Sequence, residues 1–193
     1  MELKEYRRFF GTASLTLMLL VASPVLSMVI SIPVGREFFS EFWLLGPDHR
    51  AEGYPFNVEL NVTQEPVYVA VCNNLGYTVY YRVYMKLRNQ TQPGANRTMP
   101  SSLEPLYEFR FLLSDRELWE TACVFSFQGE SALVSEVLIN GDASPVNCSS
   151  AWDSEQRGFY YQLFFELWLY NGTTRSFEYH DRSVWLWLNM TSL

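Results

Sequence analysis

Residues 77–88 read YTVYYRVYMKLR, and this stretch decides the class of fold. Aromatic or aliphatic residues occupy every odd position from Tyr77 to Leu87, and the three basic residues fall on even positions. Successive side chains of a strand point to opposite faces, so this alternation predicts a β-strand with one buried face.

The same alternation continues toward the amino terminus. Val67, Val69 and Val71 form one apolar stripe, and the turn-forming letters NNLG at 73–76 predict a hairpin to the strand that follows. An earlier strand is predicted by the alternation at Val58, Leu60 and Val62. Further strands are predicted at 105–113, 118–127, 132–139, 159–170 and 183–190.

Short strands at this spacing predict a mostly β fold, an immunoglobulin-like antiparallel β-sandwich, with a jelly roll as the second choice. The longest gaps, residues 90–102 and 141–158, contain turn-forming letters and are predicted to be solvated loops. The high aromatic content of 17% suits strands and interfaces better than helices.

An uncharged run at 9–35 precedes this domain. Its 27 residues exceed the roughly 20 that span a hydrocarbon core, so it predicts a transmembrane helix rather than a cleaved signal peptide ending near Ala22. Basic residues flank it only on the amino-terminal side. The positive-inside rule then predicts a single-pass protein of the cell membrane, with residues 1–8 cytoplasmic and 36–193 extracellular.

Within the predicted helix, Ser23, Ser27 and Ser31 recur at every fourth residue and share one stripe. Small residues let helices approach closely in lipid, which predicts packing against another membrane protein or a second copy of this chain. The alternative is that each hydroxyl bonds back to its own helix.

Six N-x-[ST] triplets lie in the predicted extracellular part, more than the one or two expected by chance. They predict N-linked glycans, with the triplets in long polar loops as the best acceptors. The six asparagines are Asn61, Asn89, Asn96, Asn147, Asn171 and Asn189.

The predicted extracellular part contains three cysteines, so one disulfide would leave one thiol unpaired. Cys72 ends a predicted strand and is expected to be a small packed residue, so Cys123 and Cys148 are the preferred disulfide pair, although three connectivities are open.

Composition and motifs argue against several functions. A formal charge of −7 with only two lysines argues against nucleic-acid binding. The segment DHRAE at 48–52 offers a possible metal site in Asp48, His49 and Glu52, but the flanking GPD and GYP tripeptides favour a plain turn. With two histidines in no catalytic spacing, we expect neither an enzyme nor a cofactor or metal site.

The chain also resembles a known family. The run EFWLLGPDHRAEGYP after the apolar segment, then VCNNLGYTVYYRVYM, FYYQLFFELWLYNG and DRSVWLWLNMT, is similar to the archaeal membrane-protein family catalogued as domain of unknown function sixteen-sixteen. The similarity covers about residues 38–190. It implies an archaeal envelope protein with a β-rich exterior domain, and it implies no activity.

Together these features predict a non-catalytic, membrane-anchored, glycosylated envelope interaction module, an accessory subunit of a larger assembly. One alternative is a carbohydrate-binding domain that stacks sugars on Tyr80, Tyr84, Trp152 and Tyr160. The other is a self-assembling surface filament, in which exposed strand edges pair between copies.

Overall fold

The computed structural model describes Tyr6, residues 10–20 and residues 38–191, and the chain divides into two units, 1–37 and 38–193. In the first unit, residues 10–20 form an α-helix. Within the described ranges, no helix has both the length and the apolar character that a membrane crossing requires. Residues 21–35, with Ser23, Ser27 and Ser31, lie outside the described residues, so the anchor and its packing stripe stay predictions.

The second unit is mostly β: more than half of the described residues lie in strands, in several sheets. In chain order the strands are β1 (Phe39–Leu45), β2 (Asn57–Glu59), β3 (Val67–Asn74), β4 (Val79–Asn89), β5 (Tyr107–Leu113), β6 (Leu118–Cys123), β7 (Phe125–Glu130), β8 (Leu133–Ile139), β9 (Asp142–Ser149), β10 (Trp152–Asp153), β11 (Gly158–Asn171) and β12 (Ser176–Thr191).

These strands form three sheets. The first has the order β1-β3-β6, the second β2-β12-β11-β4-β5 with β10 beside β11, and the third β7-β8-β9. Neighbouring strands are antiparallel except β2 and β12, which are parallel. A single residue, Val124, separates β6 from β7, so the chain passes directly from the first sheet to the third.

One hydrophobic core joins the sheets. The odd residues of β4 from Val79 to Leu87 are buried, as the alternation predicts. Across the core, the Trp119 ring of β6 stacks on the Phe111 ring of β5 with centroids 3.7 Å apart. This packing of the first sheet against the second is consistent with the predicted β-sandwich.

The predicted hairpin at NNLG is wrong. β3 pairs with β1 and β6, whereas β4 pairs with β11 and β5, so residues 75–78 cross from one sheet to the other. The buried Asn73 side chain holds this crossing: its Nδ2 donates to the carbonyls of Tyr77, Leu113 and Ser114 at 2.8–3.1 Å. Its Oδ1 accepts from the Leu75 N–H and the Tyr81 hydroxyl.

Other boundaries also differ from prediction. The predicted loop 141–158 contains β9, and the predicted strand 118–127 is split between β6 and β7, which belong to different sheets. β1 was not predicted, and β12 begins at Ser176 rather than at 183. The strands at 105–113, 132–139 and 159–170 are confirmed to within two residues, and 90–102 is a loop.

Candidate functional site

The most open feature of the second unit lies between two strand edges. β1 is the outermost strand of the first sheet. The outer edge of β12 pairs with β2 only at residues 189–191. From 176 to 188, this edge has no strand partner among the described residues. Two unpaired edges therefore border the same space.

Three adjoining cavities, of about 480, 410 and 650 Å³, follow these edges. Phe39 lines the first together with residues 180–182, and residues 42–44 line the last together with 183–187. The two walls therefore run in the same direction. We call this space the β1–β12 groove.

One half of the groove is aromatic. Trp185 is 55% exposed, Phe56 50% and Trp187 37%, and all three line the 650 Å³ cavity of the groove. The intervening residues of β12, Leu186 and Leu188, are buried in the core. The alternation of β12 thus turns both indoles away from the core and leaves a large apolar surface in solvent, a common mark of a binding site.

The other end is polar and contains Arg97, His180, Asp181 and Arg182. Neither arginine forms an ion pair with another described residue. The His180 Nε2 is buried and has no hydrogen-bond partner. Burial, with the nearby Arg182 charge, lowers the pKa of His180 below 6.5. This end therefore has unused donors for an anionic group.

A buried polar network fixes the loop that contributes Arg97. The Lys86 ammonium lies 2.9 Å from the Glu166 carboxylate and donates to the Ser101 carbonyl at 2.8 Å, and both charged side chains are at most 5% exposed. The Ser101 N–H in turn donates to Glu166 at 2.6 Å. The Tyr179 hydroxyl of β12 donates to the Asn96 carbonyl at 2.8 Å, which ties the loop to the groove.

The six predicted glycosylation sites fall into two groups. The amide nitrogens of Asn89, Asn171 and Asn189, where a glycan would attach, donate to Ser149, Glu178 and Asn57. Asn61, Asn96 and Asn147 are exposed, and their amide nitrogens make no hydrogen bond to a described residue. Asn89, one of the preferred acceptors, is therefore less available than its loop position indicated.

The predicted disulfide between Cys123 and Cys148 is not formed in this structure, where all three cysteines are free thiols. Cys123 lies in the core, and its thiol contacts the Met85 sulfur at 3.7 Å. Cys148 of β9 donates to Gln92 at 3.4 Å. Burial raises the pKa of Cys123 to about 12 and of Cys148 to about 11, so both thiols are poor nucleophiles.

The DHRAE segment is a turn, as predicted: the Gly46 N–H donates to the Arg50 carbonyl at 2.7 Å. The His49 Nδ1 lies 2.6 Å from the Glu120 carboxylate, and its ring packs on Tyr68 at 3.9 Å between centroids. His49 thus fastens the turn to β6. Across the described ranges, no group of three or more His, Cys, Asp or Glu side chains is arranged to hold a metal ion.

The four aromatic residues proposed as sugar platforms do not form one surface. Tyr160 is only 5% exposed, and Tyr84 packs edge-on against Trp168. Trp152 is exposed but lies on β10, which pairs with the opposite end of β11 from the segment beside Tyr84.

Sequence reasoning missed the groove residues Trp185, Trp187, Arg97 and Arg182. One signal was present, because the letters WLWL at 185–188 place two indoles opposite two leucines. Arg97 carries no such signal, since only the folded loop brings it to β12.

No protein-family model matches the chain, and no match to a curated protein was found. The resemblance to the archaeal membrane-protein family stays a prediction.

Proposed function

We propose that this chain is a non-catalytic interaction module of a cell envelope. In this proposal, an immunoglobulin-like sandwich is anchored by the apolar segment 9–35, and the β1–β12 groove is its binding surface. The observation that carries the proposal is the pair of exposed indoles, Trp185 and Trp187, on a strand whose outer edge is unpaired over most of its described length. Exposed tryptophan at the centre of a concave surface is typical of residues that dominate binding energy.

The chemistry of the groove favours binding over catalysis. Its polar end offers two guanidinium groups, one carboxylate and the His180 imidazole. No hydrogen-bonded pair of nucleophile and base lies among the described residues of the groove. Such an arrangement can hold and orient a ligand.

Glycans fit the same proposal. We propose occupancy at Asn61, Asn96 and Asn147, whose amide nitrogens are free of described partners. Asn96 borders the polar end of the groove, so a glycan there would stand at its mouth.

Site-specific cross-linking in intact cells tests the proposal. A photoreactive phenylalanine derivative replaces Trp185 in one variant and Trp152 in the control, since the two side chains are equally exposed at 55% and 56%. We expect a discrete cross-linked protein from position 185 and none from position 152. Identical patterns would contradict the proposal, a cross-link to a second copy would favour a filament subunit, and a cross-link to glycan alone would favour a carbohydrate-binding domain.

A further inference from the structure

We propose that the β1–β12 groove binds the extended carboxyl-terminal segment of a partner polypeptide. The segment adds as a strand to the outer edge of β12, and its terminal carboxylate binds at the polar end, where Arg97 and Arg182 line one cavity. This inference rests on the proposed function, because it names the ligand of the same groove.

The outer edge of β12 presents backbone N–H and C=O groups to which a further strand can bond. The Asn189 N–H donates to the Phe56 carbonyl at 2.7 Å, and the Thr191 carbonyl accepts from Leu60, so both residues face the outer edge. Backbone groups of every second residue point to the same edge of a strand. Trp187 and Trp185 therefore also present their N–H and C=O groups outward, where no described residue bonds to them.

The facing edge of β1 has the same property. The Leu44 carbonyl accepts a hydrogen bond from the Tyr54 hydroxyl at 2.8 Å, on the side away from β3. By the same period, Phe42 presents its backbone groups to the groove, and no described residue bonds to them. Tyr54 closes one end of the edge and leaves the rest open.

The added strand pairs with β12 alone. A strand bonded to both edges would need them roughly 9.6 Å apart, and Cα atoms of β1 and β12 already approach to within 8 Å. The segment runs antiparallel to β12. Antiparallel pairing is the more stable arrangement per residue.

The edge of β12 also lacks the usual protection. Exposed edges normally contain charged residues or proline, which prevent pairing with other chains. From Ser183 to Leu188 there is neither, although Asp181 with a φ of 52° and Arg182 interrupt the edge just before this segment. An unprotected edge lined with tryptophan is the surface that an added strand covers.

Charge selects the carboxyl terminus as the ligand. An antiparallel segment runs opposite to β12, so its carboxyl end reaches the polar end, where Arg97 and Arg182 lack ion-pair partners. Guanidinium groups bind carboxylates through short, charge-assisted hydrogen bonds, and both arginines are exposed to solvent. This local positive charge stands out in a chain of net charge −7.

The test uses the full chain in detergent micelles and a synthetic library of nine-residue peptides with valine at alternate positions and free carboxyl ends. Peptides enriched by the wild type are made again with an amidated end, and separately with N-methyl groups at alternate residues. Amidation should weaken binding to the wild type by about tenfold or more, but far less to the Arg97→Gln, Arg182→Gln double variant. Methylation of the groove-facing nitrogens should abolish binding.

Equal affinity of acid and amide, insensitivity to N-methylation, or no peptide enriched above a Trp185→Ala, Trp187→Ala variant would each overturn this inference. The proposed function is tested by a different result from the one that tests this inference. A cross-link specific to position 185, found together with such a peptide result, keeps the groove as a binding site and removes only strand addition. Failure of both experiments removes the groove as well.

Discussion

Charged side chains have different environments at the centre of the large sheet and at its β12 edge. In the centre, Lys86 and Glu166 are buried, and each has both an ionic partner and the Ser101 backbone. At the edge, Arg97 and Arg182 lie in solvent with no described ion-pair partner. The difference indicates that the centre stabilises the fold, whereas the edge has hydrogen-bonding groups that the proposed binding site would use.

The largest loss of stability is expected when one of the two buried charges is removed. Glu166→Gln leaves the Lys86 ammonium buried without its counter-ion, and breaking such a pair costs about 3–5 kcal/mol of unfolding free energy. Denaturant unfolding of the full chain measures the loss. Glu104→Gln, an exposed change in the same loop, is the control and should stay within about 0.5 kcal/mol. Equal small losses would show that the network does not stabilise the fold.

The next largest loss of stability is expected at Asn73, which holds the crossing between the first and second sheets. Asn73→Ala removes a fully buried amide and leaves carbonyls of three residues without that donor, at a cost of about 1–3 kcal/mol. Asn74→Ala, at the half-buried neighbour whose side chain bonds to Glu41, is the matched control and should cost less. The same unfolding measurement compares them, and the opposite order would contradict the role of Asn73.

His180 of β12 should make the stability of the fold depend on pH. Its pKa is lowered from 6.5 mainly by burial, so the folded state resists protonation while the unfolded chain takes up a proton. Stability is therefore unaffected above pH 6.5 and falls as the pH drops below it. The lowered pKa values of Glu178 and Asp153 act only below about pH 4.5.

Melting temperatures at pH 7 and pH 5 test this point. His180→Gln should show a smaller loss between the two pH values than the wild type. An unchanged pH dependence would mean that His180 does not titrate in this way.

The smallest effect on stability is expected at the edge. Trp185 is 55% exposed, so Trp185→Ala should change the unfolding free energy by no more than about 0.5 kcal/mol, as for other surface positions. Circular dichroism melting measures this change. A loss above about 2 kcal/mol would show that the indole supports the fold and would remove the contrast between centre and edge.

Prediction from sequence worked where the pattern was local. The alternation in residues 77–88 correctly identified β4 and its buried face, because the period of two is a property of the strand itself. It did not find β9, whose letters DASPVNCS include a proline and turn-forming residues. β9 is a strand because β8 pairs with it.

The candidate site was less predictable. Trp185 and Trp187 alternate with leucines, so their outward orientation could be read from the letters. Their exposure could not, since it depends on which parts of the folded chain cover that face of the large sheet. The polar end depends on a loop that approaches β12 only in the folded chain.

By itself, the sequence determined where β4, β5, β8 and β11 lie, that one face of β4 is apolar and that the domain is mostly β, because each of these follows from neighbouring residues. The tertiary structure alone decided which strands pair, that NNLG crosses between sheets, that Lys86 meets Glu166 and that two edges remain open. These features join residues far apart in the chain. They are selected by competition among all possible pairings for one shared core, and no local pattern contains that information.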